Sequence, residues 1–171
     1  MKMIVAVDRN WGIGYKGELL ARVREDMKHF RAYTFDKTVI LGAGTLATFP
    51  GGKPLGGRLN LILSRKMESV PEGAEVFRSV EELLERVKEL DPEETVVIGG
   101  GSVYSQLLPY THEISLTVFD EAFESDTFFP DLSKMPRWQM TEAGEWQETN
   151  AETDSVSGMR FRFETYRLKE E

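Results

Sequence analysis

Met3-Ile4-Val5-Ala6-Val7, Asn10-Trp11-Gly12-Ile13-Gly14 and the run from Val23 to Phe30 follow one another at the start of the chain. The first is an apolar run of strand length. The second is a glycine-rich turn, and the third a helical pattern carrying one acid, Asp26. Residues four apart share a helix face, so Asp26 and Phe30 point the same way, with Val23 and Met27 beside them. Acids are common in a first helical turn, where the helix dipole favours them. On a largely apolar face, an acid beside an aromatic ring also has the makings of a site.

The same strand-then-glycine-then-helix order recurs further on. Lys37-Thr38-Val39-Ile40-Leu41 reads as a buried strand entering Gly42-Ala43-Gly44-Thr45, with a short helix that must stop before Pro50. Residues 51–57 form a glycine-dense loop, 58–64 a strand, 71–73 a turn and 74–77 a short strand. Ser79 with Glu82 three residues later has the capping-box spacing, ahead of a helix whose stripe is Leu83, Leu84, Val87 and Leu90 and which Asp91-Pro92 ends. Thr95-Val96-Val97-Ile98 runs into Gly99-Gly100-Gly101-Ser102 and a helix through Val103, Tyr104 and Leu107 to Pro109. Glu113–Phe119 is a strand, 121–130 an acidic loop, and residues 138–140, 144–146 and 160–166 read as antiparallel edge strands, with a polar loop at 149–158.

Alternation of strands and helices predicts an α/β fold, a mostly parallel mixed sheet of about eight strands with helices on both faces and antiparallel C-terminal strands. A chain of 171 residues fits a single domain, 1–171. The net charge of -8 argues against nucleic-acid or anionic-membrane partners. Cysteine is absent, which removes disulfides, thiol chemistry and thiolate metal sites. Neither a membrane span nor a signal peptide is read, so a cytoplasmic protein, expected to be a monomer, is the default.

Gly12-Ile13-Gly14-Tyr15-Lys16-Gly17 spells the dinucleotide fingerprint but sits wrongly for it, because Asp8 to Trp11 separates it from the strand and no good helix former follows. The junctions at Gly42 and Gly99 are better placed. Each follows a buried strand and precedes helical sequence, where backbone amides are unpaired and glycine permits close approach, so together they favour a nucleotide. Neither ends in the Lys-Ser/Thr of a P-loop, which disfavours ATP hydrolysis. Arg58 enters a strand mouth, where a guanidinium clamps a carboxylate through two hydrogen bonds; a surface arginine is the plainer reading. His29 and His112 are the only histidines, so a metal site has no support and none is expected.

These pieces coincide with one family. Residues 4–10 with Gly12-Ile13-Gly14, then Asp26-Met27-Lys28-His29-Phe30-Arg31, Gly57-Arg58, Ile62-Leu63-Ser64-Arg65, Val97 to Tyr104, Leu116-Thr117 and Asp126-Thr127-Phe128-Phe129-Pro130 resemble dihydrofolate reductase in order and spacing over nearly the full length. The resemblance implies an oxidoreductase that reduces 7,8-dihydrofolate to tetrahydrofolate with NADPH and binds antifolate inhibitors. Asp26 is then the catalytic acid beside the pterin, with Ile4, Phe30 and Thr117 around the same pocket and Arg58 on the glutamate-tail carboxylate. The cofactor residues implied are Ala6, Ile13, Gly42, Gly44, Thr45, Ser64, Arg65, Gly99, Gly100, Gly101, Ser102, Val103 and Tyr104. Residues 9–24 look like the family's mobile loop, and Asp126 like the acid that steadies it.

Four positions depart from the family pattern. Leu19-Leu20-Ala21 stands where Leu-Pro-Trp is usual, Ala43 replaces a basic residue beside the cofactor, and Leu46 replaces a tryptophan. Arg65 is left as the cation for a cofactor phosphate. Two further readings stay open on the sequence: a same-fold reductase of another pteridine or pyrimidine, and a catalytically impaired nucleotide-binding homologue.

Overall fold

Dense runs of β-branched and aliphatic residues set the strands, and glycine or a polar cap sets where each ends. The computed structural model describes residues 1–170. In chain order the elements are β1 (Lys2–Val7), β2 (Gly12–Tyr15), β3 (Glu18–Leu19), α1 (Arg24–Thr34), β4 (Thr38–Gly42), α2 (Ala43–Ala47), β5 (Leu59–Leu63), β6 (Ala74–Phe77), α3 (Val80–Val87), β7 (Thr95–Gly99), α4 (Gly101–Leu107), β8 (Glu113–Phe119), β9 (Thr127–Phe128), β10 (Trp138–Ala143), β11 (Gln147–Glu148) and β12 (Arg160–Leu168). The nine-stranded mixed sheet has the strand order β10-β12-β8-β1-β7-β4-β5-β6, with β11 on β12. Helices flank it, and the C-terminal strands are antiparallel, as expected.

The chain divides into two compact units. The first holds residues 1–3 and Thr34–Thr111. Its strands are parallel: β1 pairs β7, β7 pairs β4, β4 pairs β5 and β5 pairs β6. Strands β4 and β7 are buried along their whole length, which is why they read as unbroken apolar runs. Helix α3 starts on Ser79, whose hydroxyl accepts from the Glu82 amide at 3.2 Å. The reciprocal bond differs from a capping box: Glu82 accepts from the amide of Arg78. The helix also ends at Val87, ahead of Asp91-Pro92, because the amides of Glu89 and Leu90 turn back three residues, to Arg86 and Val87, in a tighter turn.

The second unit holds Ile4–Tyr33 and the chain from His112 onward. Strand β12 lies antiparallel between β8 and β10, pairing Phe161 with Phe119 and Arg167 with Glu113. Strand β10 reaches Ala143, and residues 144–146 fall outside the strands. An apolar cluster of Ala21, Val23, Phe119, Met159 and Phe161 fills the interior, with Ala6, Phe123, Val156 and Phe163 against it. A separate small sheet, β3-β2-β9, was not legible in the sequence. Asp8, 2% exposed, nucleates it, accepting from the amides of Asn10 and Gly12 through one oxygen and Phe123 through the other.

No helix among the described residues is long and apolar enough to cross a membrane. Nor do three or more histidine, aspartate or glutamate side chains gather there into a metal-binding group.

Candidate active site

Helix α1 opens with Val23 as the residue whose carbonyl accepts the first helical bond, from the Met27 amide at 3.0 Å. Its N-terminus is closed from far along the chain, since the Arg24 amide donates to Asp154 Oδ1 at 2.8 Å. Ser155 adds a pair of bonds to the backbone of Arg22. This tertiary capping fixes the turn from which Asp26 projects.

Asp26 then meets Thr117, whose hydroxyl donates to Asp26 Oδ1 at 2.5 Å. Two more rungs follow along the same face. His29 Nε2 lies 2.8 Å from Ser115 Oγ, and Tyr33 Oη donates to Glu113 Oε2 at 2.9 Å. Helix residues at i, i+3 and i+7 thus match strand residues at i, i−2 and i−4, the two periods that keep side chains on one face. His29 also packs its ring on Phe163, 4.5 Å between centroids, and burial lowers its pKa. Tyr33 and Ser115 went unnoticed in the sequence, and His29 was weighed there only as a metal ligand; the helical stripe starting at an acid was the available signal.

Asp26 is half-buried by accessible surface, but protein surrounds most of its carboxyl group. Burial pushes its pKa above the ordinary carboxylate range, and the Thr117 bond pulls weakly the other way. A carboxyl raised in this way holds a proton more readily than an exposed aspartate does. Ile4 lies nearly buried in β1, Phe30 is half-buried on α1, and Thr117 is 1% exposed on β8.

In the first unit the two glycine junctions lie side by side. Strands β4 and β7 are neighbours, with Leu41 opposite Gly99. The chain steps from β4 outward to β5 and β6, then returns to place β7 on the other side of β4. That reversal makes a topological switch point, where open parallel sheets bind ligands beyond their strand ends. Gly42 caps α2 and Gly100 caps α4, neither with a side-chain bond. The Gly99–Gly100 peptide is cis, and Gly99 has φ +131°. A Cβ on either residue would sit 3.3 Å from Thr45 Oγ1, and one on Gly99 also 3.6 Å from Tyr104 Oη. Thr45, Gly99, Gly100 and Tyr104 therefore form one glycine-lined cradle. Gly42 is as tightly placed, since a Cβ there would meet Val103 Cγ2 at 3.1 Å.

The other cofactor candidates fall in several places. Gly44 is exposed in α2, and Gly101 and Ser102 open α4, where Ser102 Oγ accepts from Gln106 at 2.9 Å. Ser64 and Arg65 follow the next strand end, β5. Ser64 Oγ accepts from the amides of Lys66 and Met67, and its carbonyl accepts from Arg78 Nη1 at 3.2 Å. Arg78 is thus a second cation at that end, missed because the sequence does not show that the end of β6 lies beside the end of β5. Ala6 and Ile13 lie in the second unit, Ala6 against the apolar cluster and Ile13 in β2.

Arg58, in the first unit, lines an open recess of about 330 Å³ with Asp36, Lys37, Thr38, Gly57 and Leu59. Asp126 ties down the segment after β1. Its Oδ2 accepts from the Lys16 amide at 2.9 Å and its amide donates to Gly14, and the Lys16 bond holds its carboxyl below the ordinary range.

Replacing Gly99 by alanine places a Cβ at a positive φ and against Thr45. Strain of about 1–3 kcal/mol is relieved only by moving the turn. Cofactor affinity, read by fluorescence titration with NADPH, is expected to fall about tenfold or more, and the melting temperature to drop by several degrees with the same strain.

The family model described as dihydrofolate reductase matches residues 1–168 of the chain. The chain is 37% identical over 158 residues to the dihydrofolate reductase of Mycobacterium tuberculosis (strain H37Rv), covering 90% of this chain and 89% of that protein. It is 32% identical to the viral dihydrofolate reductase of Saimiriine herpesvirus 2 (strain 488), over 97% of this chain and 84% of that one. Among solved structures it resembles Enterococcus faecalis dihydrofolate reductase complexed with NADP(H) and RAB-propyl, at TM-score 0.82 and 30% identity, covering 99% of this chain and 96% of that one.

Proposed function

The chain belongs to the dihydrofolate reductase family, and on that premise we propose how its residues reduce 7,8-dihydrofolate to tetrahydrofolate with NADPH. The bond reduced is a C=N, so carbon receives a hydride and nitrogen a proton. NADPH supplies the hydride when bound. The chain supplies orientation and charge.

The observation that carries the reading is the buried, Thr117-bonded carboxyl of Asp26. Asp26 binds the pterin edge, and its raised pKa lets it support the proton that the ring nitrogen gains. Thr117 fixes the rotamer, and Ile4 and Phe30 shape the apolar wall. The cradle of Gly99, Gly100, Thr45 and Tyr104, with Gly101, Ser102, Val103, Gly42 and Gly44, fits a flat, phosphate-bearing cofactor. The first amides of α2 and α4 have no side-chain caps, and the glycines let Thr45 and Val103 pack against the turns. Ser64, Arg65 and Arg78 form the basic end, answering the charge that Ala43 lacks. For Ala6 and Ile13, in the second unit, a cofactor role rests on the family resemblance alone. The protein acts as a single cytoplasmic domain and a monomer, with small molecules as its partners.

The test is an absorbance assay with dihydrofolate and NADPH, repeated with NADH and with a reducible pyrimidine. Turnover with the first pair alone is expected. Oxidation of NADPH only with the pyrimidine would replace the substrate, and binding without turnover would mark an impaired homologue.

Arg58 holds the tail carboxylate. Arg58→Ala is expected to raise KM for dihydrofolate about tenfold or more, the scale of a charge-assisted bond, and to leave KM for a tailless dihydropterin unchanged. Equal losses for both substrates would refute tail recognition.

A further inference from the structure

Asn60 is 0% exposed in the middle of a parallel sheet, an expensive place for a carboxamide unless its polar atoms are paired. Its partners all lie on one short loop. Asn60 Oδ1 accepts from the Leu55 amide at 3.0 Å. Nδ2 donates to the Leu55 carbonyl at 2.9 Å and to the Arg58 carbonyl at 3.0 Å. One side chain thereby ties both ends of the segment Leu55-Gly56-Gly57-Arg58. That segment needs tying: two adjacent glycines carry no side chains to anchor it, and Gly57 has φ +70°.

The loop delivers Arg58, and the guanidinium is held in turn. Nε donates to Thr34 Oγ1 at 3.0 Å, and Nη1 donates to the Gly56 carbonyl at 2.6 Å. The ring of Phe35 lies 5.9 Å from the guanidinium carbon. Thr34 is itself 0% exposed, so its hydroxyl is a fixed acceptor. A planar fork recognises a carboxylate only when its plane and edge are aimed, and these contacts set both.

We propose that Asn60 and Thr34 are positioning residues for substrate-tail recognition: Asn60 fixes the loop that presents Arg58, and Thr34 fixes the plane of its guanidinium. This rests on the tail-binding role of Arg58. It makes preference for a carboxylate-bearing substrate a property of two buried residues that touch no substrate. Gly56 belongs to the same device, since its carbonyl receives the guanidinium only while Asn60 holds the loop.

The experiment compares KM and kcat for dihydrofolate and for a tailless dihydropterin in Asn60→Ala, Thr34→Val, Thr34→Ser and Arg58→Ala, and in the double variants with Arg58→Ala. Asn60→Ala and Thr34→Val are expected to raise KM for dihydrofolate several-fold to about tenfold, with kcat unchanged and the tailless substrate unaffected. Thr34→Ser restores the acceptor and is expected to restore KM. In the Arg58→Ala background neither substitution adds to the loss, because both act through that residue. Equal effects on both substrates, or full additivity with Arg58→Ala, would overturn the inference. If Arg58→Ala itself fails to separate the substrates, the tail-binding reading falls instead. Should Asn60→Ala not fold, the near-isosteric Thr34→Val decides, and a KM unchanged there overturns the proposal.

Discussion

Asp26→Asn is expected to slow hydride transfer at neutral pH by roughly 10²-fold or more, in the range that positioned acid–base groups contribute. Asparagine keeps the shape and still accepts the Thr117 hydroxyl, now 2.5 Å from Asp26 Oδ1. It has no ionisable proton, so the loss isolates the charge. The same substitution is expected to stabilise the fold. Burial raises the Asp26 pKa in the native state, so between the ordinary carboxylate value and the raised one the native chain holds more protons than the unfolded chain. Stability then falls as pH rises through that window, and the full penalty persists above it. Asparagine carries no such penalty. Single-turnover rates and urea midpoints across pH check both halves. An unchanged transfer rate would remove Asp26 from the proton's path, and equal midpoints at neutral pH would show that burial costs its charge nothing.

That trade explains what the sequence could and could not reveal. A lone acid at 26 on an apolar helical face was visible because helix periodicity is local. Its partner was proposed only by family resemblance, since the contact with Thr117 spans 91 positions. Strands 74–77 and 113–119 were read to the residue, because β-formers bounded by turn residues carry their own limits. Strands β2, β3 and β9 were missed: Gly12, Gly14 and Glu18 are poor strand formers, and the hairpin exists because Asp8 and Asp126 bond its backbone. The cap of α1 was invisible for the same reason, Asp154 lying 130 positions from Arg24. The two glycine junctions were legible one at a time. Their adjacency required strand order, which the β4–β7 pairing, Leu41 opposite Gly99 at its end, supplies.

Phe161→Ala is expected to cost about 3–5 kcal/mol of stability, the scale of truncating a buried phenylalanine. Phe161 is 2% exposed and lies across from Phe119 in the β12–β8 pair. Its ring meets Phe163 edge-on at 6.1 Å, and Phe163 in turn supports His29. Ala21 and Val23 belong to the same cluster. Ala21 occupies the position where the family usually has a tryptophan, and with only a methyl group there it has no side chain that could swing into the void. The cavity therefore persists rather than collapsing, which places the cost toward the upper end of that range. Val23 also provides the carbonyl on which α1 begins, so loosening the cluster frees the first turn and with it Asp26. Transfer rates are expected to fall before global unfolding, as urea rises toward the midpoint. Met140→Ala, at a side chain 43% exposed on β10, is the control and should shift the midpoint little. A loss below about 1 kcal/mol at Phe161 would mean that the cluster repacks, and that something other than this packing holds the start of the helix.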